Sequence, residues 1–238
     1  MTTSLGRTTT PEHARTDRVP APPPAPTGAG RKYAVELIGT FFLVFTVGVS
    51  VIAGNVLAPL AIGAVLMVMI YAGGHISGGH YNPAVTMAAL VRGRIRPRDA
   101  VGYWIAQLVA GLIAALAVGG VLHSAHIRAA TLTGHALVAA LVVEVLFTFA
   151  LCYVVLNVAT SKDHPGNSFY GLAIGFTVVA GAFAVGAISG AAFNPAVTLG
   201  GAVLGLFAWS TFWEYLVVQL VGGVAAGLAF LALNPGDR

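Results

Sequence analysis

The sequence predicts an all-α membrane protein: six transmembrane helices plus two re-entrant half-helices, arranged as an inverted 3+3 internal repeat. Three observations carry this. Hydrophobic residues make up 57% of the chain and charged residues 8%, against roughly 25% charged in soluble domains. Apolar stretches of about 20 residues recur, long enough to cross ~30 Å of hydrocarbon. One distinctive stretch also occurs twice.

That stretch is His75-Ile76-Ser77-Gly78-Gly79-His80-Tyr81-Asn82-Pro83-Ala84-Val85-Thr86, which returns as Ala187-Ile188-Ser189-Gly190-Ala191-Ala192-Phe193-Asn194-Pro195-Ala196-Val197-Thr198. Each copy begins with a loop-forming Ser-Gly pair. Each ends in Asn-Pro, a preferred N-cap followed by the residue best tolerated at the first helical position. The offset from Asn82 to Asn194 also matches Leu60-Ala61-Ile62-Gly63 to Leu172-Ala173-Ile174-Gly175, and Gln107 to Gln219. A slightly shorter offset matches Glu36, Thr40 and Phe41 to Glu144, Thr148 and Phe149. The chain is an internal duplication.

Taken in order, residues 1–30 carry Pro20, Pro22, Pro23, Pro24 and Pro26 among Thr, Ala and Arg, the composition of a disordered cytoplasmic tail and not of a cleaved signal peptide. Residues 31–233 form the membrane domain, with repeat 1 over about 32–122 and repeat 2 over about 135–233. The first span runs from about Lys32 to Ile52 and the second from about Leu57 to Gly73. The half-helix Pro83 to Val91 is too short to cross; four arginines follow, then Asp99 as the expected cap of a third span ending near Leu122. A linker with His123, His126 and Arg128 leads to a fourth span, about Leu137 to Asn157, and a fifth, about Ser168 to Gly186. The second half-helix is expected over Pro195 to Leu206, the last span over Ser210 to Leu233, and a C-terminal tail over 234–238.

Six spans put both termini on one side. Of the 12 Lys and Arg residues, all but Arg128 fall on that side, so the positive-inside rule makes both ends cytoplasmic. Topology thus accounts for the net charge of +4 without nucleic acid. The single Cys152 excludes an intramolecular disulfide and reads as packing.

Three spans per repeat make the second repeat enter upside down. The two half-helices then come in from opposite faces, and Asn82 and Asn194 meet near the midplane, where inverted repeats with broken helices place their sites. Each helix N-terminus carries roughly half a positive charge, so two of them facing one pore oppose cations while the asparagine amides donate to a passing oxygen. Glu36 and Glu144 lie within apolar spans at a cost on the order of 3 kcal/mol each, and are read as acceptors for the re-entrant loop backbone. His75 and His80 have Ala187 and Ala192 as counterparts and no third ligand nearby, so they read as structural or pore-lining, with His75 assigned to loop support and no metal expected. Gln107 and Gln219 read as interhelical hydrogen-bonding residues, and Trp104, Trp209 and Trp213 as interface anchors or packing.

The doubled Asn82-Pro83-Ala84 and Asn194-Pro195-Ala196, the Gly74-to-His80 lead-in and the repeated glutamate resemble the aquaporin (major intrinsic protein) family over about residues 32 to 233. The resemblance implies a passive channel for water and small neutral solutes, no enzyme activity, no cofactor, a homotetramer with one pore per subunit, and a multi-pass place in the cell (plasma or inner) membrane with lipid and solute as its partners. It also places the selectivity filter at Ile62, Ala182, Ala191 and Val197. Most aquaporins carry Arg where this chain has Val197; some plant vacuolar members share the Val and pass water, urea, ammonia and peroxide. The Asp that marks glycerol channels is absent, since Thr198 and Leu199 follow. The filter so read is wide and apolar, and the expected traffic is water with glycerol, urea, ammonia or peroxide. The alternatives are a water-selective aquaporin and a secondary transporter. Against the transporter, no Asp, Lys or Arg falls at the midplane as a coupling group.

Overall fold

The computed structural model describes residues 28–122, 129 and 131–237; the expected N-terminal tail up to residue 27, His123, His126, Arg128 and Arg238 lie outside them. The described residues form α1 (Ala29–Ile52), α2 (Ala58–Ser77), α3 (Pro83–Val91), α4 (Pro97–Leu122), α5 (Gly134–Thr160), α6 (Tyr170–Ser189), α7 (Pro195–Val203) and α8 (Trp209–Leu233). Six of these are long and apolar enough to cross a membrane. The other two, α3 and α7, have 9 residues each. At 1.5 Å per residue each spans about 14 Å, half a bilayer core.

Helix pairs repeat across the duplication. α1 packs on α4 as α5 packs on α8, and α2 crosses α6. Each half-helix packs mainly on the long helix of the other repeat, α3 on α8 and α7 on α4, so neither repeat is complete alone. The α2–α6 crossing brings backbone to backbone: a Cβ on Gly63 would lie 2.5 Å from the Gly175 carbonyl, and one on Gly175 would lie 2.5 Å from the Gly63 carbonyl. Small residues at such crossings are what membrane helices use where no hydrophobic effect drives them together. The polarity of the molecule is inverted to match. Leu116, Trp213, Val217 and Ile105 stand exposed, while Glu36, Gln107, Glu144 and Gln219 are fully buried.

Several element boundaries depart from expectation, α2 running on to Ser77 past the expected Gly73, and two of the departures have a local cause. Asp99 does not cap α4, because Pro97 already occupies a tolerated place at the start of the helix; Asp99 sits in its first turn and pairs with Arg96 at 3.0 Å. α7 ends at Val203, short of Leu206, because Gly205 adopts φ 78° and the amides of Gly205 and Leu206 fold back onto the Ala202 and Gly201 carbonyls.

The chain end is not free of the bundle. Asp237, 4% exposed, accepts from the Arg92 guanidinium at 2.7 Å and from the Lys162 backbone amide at 2.8 Å. Arg94 reaches both Asp237 (3.4 Å) and the Thr160 carbonyl (3.0 Å). The Arg92 guanidinium also lies over the Phe230 ring. Asp237 therefore ties the end of α3, the α5–α6 connection and the end of α8 together. Burial pushes its carboxyl up, but the Lys162 amide, the Ser161 hydroxyl and Arg92 outweigh that and hold it below its ordinary 3.8. A depressed carboxylate stabilises the fold above its unfolded value, and that stabilisation is lost as pH falls through the folded value. Asp237→Asn is expected to lower the melting temperature at neutral pH, with the difference from the wild type shrinking as pH is taken below about 3.8. Thermal melts across that range check it.

Candidate functional site

The two re-entrant loops are built by the same set of contacts, starting from a glycine. Gly78 and Gly190 end α2 and α6 in the left-handed conformation (φ 91° and 83°), which turns each chain back into the bundle. Tyr81 and Phe193 then adopt φ 49° and 48°, a conformation that costs a non-glycine residue on the order of 1–3 kcal/mol and persists only where surrounding bonds impose it.

Those bonds come from the two buried glutamates. Glu36 accepts from the Ser77 hydroxyl (2.7 Å) and the His80 amide (2.9 Å) on Oε1, and from the Tyr81 amide (2.7 Å) and Gln107 Nε2 (2.8 Å) on Oε2. Glu144 repeats this with the Ser189 hydroxyl (2.7 Å), the Ala192 amide (2.9 Å), the Phe193 amide (2.8 Å) and Gln219 Nε2 (2.9 Å). Both carboxylates are thus filled with donors. Behind them, Gln107 and Gln219 also donate to Thr86 and Thr198, whose hydroxyls donate to the Asn82 and Asn194 carbonyls. Tyr103 and Tyr215 donate to the Ser77 and Ser189 carbonyls. Sequence reasoning missed Ser77/Ser189, Thr86/Thr198 and Tyr103/Tyr215; the signal for each was its spacing, the same as from Asn82 to Asn194.

The loops deliver the asparagines to each other. Asn82 and Asn194 are extended N-caps whose Oδ1 atoms accept from the Ala84 and Ala196 amides. Their Nδ2 groups cross over: Asn82 donates to the Phe193 carbonyl and Asn194 to the Tyr81 carbonyl, both at 2.9 Å. One hydrogen of each amide is used in this way, and the second has no protein partner among the described residues. α4 and α8 close in from behind, where a Cβ on Gly111 or Gly223 would lie 2.7 or 2.5 Å from the Ala196 or Ala84 carbonyl. Pro83 and Pro195 begin the two half-helices, so all six residues of the doubled Asn-Pro-Ala sit at one junction.

Both asparagines line one internal cavity of about 50 Å³, room for a short file of waters at roughly 10–15 Å³ each. Ile62, Ala182, Ala191 and Val197 line the same cavity. Leu43, Leu66, Leu151 and Val178 supply apolar wall. Among the described residues no Asp, Glu, Lys or Arg lines it; His80 is its one titratable side chain.

His75 takes no part in supporting the loop. It lies in the last turns of α2, exposed and without a hydrogen-bonding partner among the described residues, because the chain has not yet turned inward there. His80 has that role instead: its amide meets Glu36 and its Nδ1 lies 3.0 Å from the Thr86 hydroxyl. Trp104 packs inward, its indole donating to the Pro83 carbonyl, while Trp209 and Trp213 remain exposed.

Removing one glutamate leaves four buried donors facing nothing, at about 1–3 kcal/mol for each. Glu144→Ala is therefore expected to lower stability by at least about 3 kcal/mol, read as a drop in melting temperature and folded yield in detergent. Ser189→Ala, which removes one donor to Glu144 and the acceptor of the Ala191 amide, is expected to cost less.

The model of the "Major intrinsic protein" family matches residues 30–230. The chain is 41% identical over 217 residues to "Glycerol uptake facilitator protein-like 6" of Lactiplantibacillus plantarum, covering 87% of this chain and all of that one. It is 36% identical to "Aquaporin NIP1-4" of Oryza sativa subsp. japonica (85% of this chain, 77% of that one). It is also 41% identical over 191 residues to "Aquaporin TIP1-1" of Arabidopsis thaliana (77% of this chain, 73% of that one). Among solved structures, the fold resembles the X-ray structure of the aquaglyceroporin from Plasmodium falciparum, with a TM-score of 0.72 at 22% identity, covering 85% of this chain and 96% of that one.

Proposed function

The chain belongs to the major intrinsic protein family and is a passive channel for water and small neutral solutes; from that premise we propose that the conduction path is the Asn82–Asn194 cavity and that Ile62, Ala182, Ala191 and Val197 form its outer filter. The observation that carries this is that all four side chains line the same cavity as both asparagines. With no charge and no aromatic ring, this filter admits small, weakly hydrated solutes that an Arg-lined one rejects. Water passes, and with it glycerol, urea, ammonia or peroxide; one relative bears the name of a glycerol uptake facilitator.

Ions are excluded on two grounds. The apolar wall offers nothing to replace a hydration shell, and the positive ends of α3 and α7 face the same point. The free hydrogen on each asparagine amide serves a neutral oxygen in transit. Glu36 and Glu144 are saturated with donors, which suits scaffolding and not coupled transport or catalysis. The native assembly is a homotetramer in the cell membrane with both termini cytoplasmic; the basic residues of the α3–α4 connection and Lys162 support that orientation.

Stopped-flow light scattering on proteoliposomes tests the reading. Rapid shrinkage in sucrose followed by rapid reswelling in glycerol or urea is expected. Val197→Arg should keep water flux and slow reswelling by about tenfold, the effect of ~1.4 kcal/mol added to a barrier. Unchanged solute permeability in Val197→Arg would remove Val197 from the filter. Shrinkage without reswelling in the wild type would make the pore water-selective.

A further inference from the structure

The duplication that builds the pore also copies its filter. Carrying each outer position across the repeat takes Ile62 to Ile174, Val197 to Val85, Ala191 to Gly79 and Ala182 to Ile70. Ile174, Val85 and Gly79 also line the conduction cavity. Ile70 does not; it is packed behind Gly79, where a Cβ would lie 3.5 Å from the Ile70 Cα. Its place at the cavity wall is taken by His80, whose own counterpart across the repeat is Ala192.

The two rings differ in how open they are. In the outer ring Ile62, Ala182 and Ala191 are all half-exposed, and only Val197 is buried. In the inner ring Ile174 is 4% exposed, Val85 2%, and Gly79 is buried, while His80 is half-exposed. His80 borders both this cavity and a polar one of about 290 Å³ that includes Lys32, Arg94 and Arg96, so the narrow path gives way to a wide one at the imidazole. The ring cannot swing aside freely. Its Nδ1 is held by Thr86, and its edge packs on Tyr103 at 5.1 Å, which is itself bonded to the Ser77 carbonyl.

We propose that Ile174, Val85 and His80 form a second, inner ring near the cytoplasmic mouth, and that this ring, not the outer filter, sets the size limit for solutes. The inference rests on the conduction path proposed above. A file of solute passes the apolar outer ring with little obstruction and meets its tightest section beside a fixed imidazole. Losing the arginine from the outer ring therefore shifts the control of solute size to the opposite end of the pore.

The repeat supplies its own matched controls, because the same side chains stand in both rings. Ile174→Ala is compared with Ile62→Ala, and Val85→Ala with Val197→Ala, by the ratio of glycerol to water permeability in proteoliposomes; melting temperatures confirm that each channel is folded. The ratio cancels differences in the number of active channels. The inner substitutions are expected to raise it several-fold, and the outer ones to leave it within twofold of the wild type. Outer substitutions that raise the ratio as much as inner ones, or inner ones that leave it unmoved, would overturn the proposal, and the Val pair still decides it if an Ile variant fails to fold. Water flux no faster than in empty liposomes would instead sink the conduction path itself, a separate result from normal water flux with unmoved ratios.

Discussion

Backbone amides in a loop that reverses at membrane depth have no water to bond, and each one left unpaired costs kilocalories. Glu36 and Glu144 answer that constraint here. Each carboxylate offers four acceptor sites and takes two loop amides, one serine hydroxyl and one glutamine amide. A neutral side chain of similar size could not accept from four donors at once. This explains why a carboxylate is retained in a span where its insertion is costly. The left-handed conformations of Tyr81 and Phe193 are held by the same bonds, and they in turn present the carbonyls to which Asn194 and Asn82 donate. Glutamate, loop, asparagine and half-helix thus form one chain of cause.

The crossing of the asparagine amides joins the halves at their most polar point. Because α3 packs on α8 and α7 on α4, separating the repeats would expose both half-helix N-termini together. Cooperativity of this kind suits a pore, which must keep its geometry while solutes exchange through it. It also leaves the asparagines rigid, so their remaining hydrogens are presented without reorganisation.

Much of this was legible in the sequence because duplication doubles every signal. A single Asn-Pro-Ala says little; two copies at a fixed spacing, each led by Ser-Gly, gave the half-helices, the inversion and the junction at Asn82 and Asn194. Glu36 and Glu144 stood out because an acid in an apolar span needs a reason, and the repeat supplied the same one twice. The errors fell where the repeat has no twin or where local chemistry decides. His75 is matched by Ala187, so nothing in the sequence distinguished it from His80; only the turn at Gly78 determines which of the two faces inward. Asp99 looked like a cap until Pro97 had claimed the first turn of α4. Asp237 was read as part of a short tail, and its burial depends on Arg92 and Lys162, remote in sequence and joined only by the fold.

Those same unmatched positions separate the two ends of the pore. A perfect inverted repeat would make a channel with identical mouths and no preferred site of discrimination. Here the aliphatic members agree, Ile62 with Ile174 and Val197 with Val85, while Ala192 against His80 and Ala182 against Ile70 do not. Of these, only His80 adds bulk at the cavity wall, since Ile70 does not line it and Gly79 stands opposite Ala191. An arginine after the second Asn-Pro-Ala would offset that bulk by narrowing the outer ring; Val197 leaves it uncompensated. The asymmetry of the pore then comes from the few residues at which the halves have diverged, set on a scaffold that the buried glutamates hold the same in both.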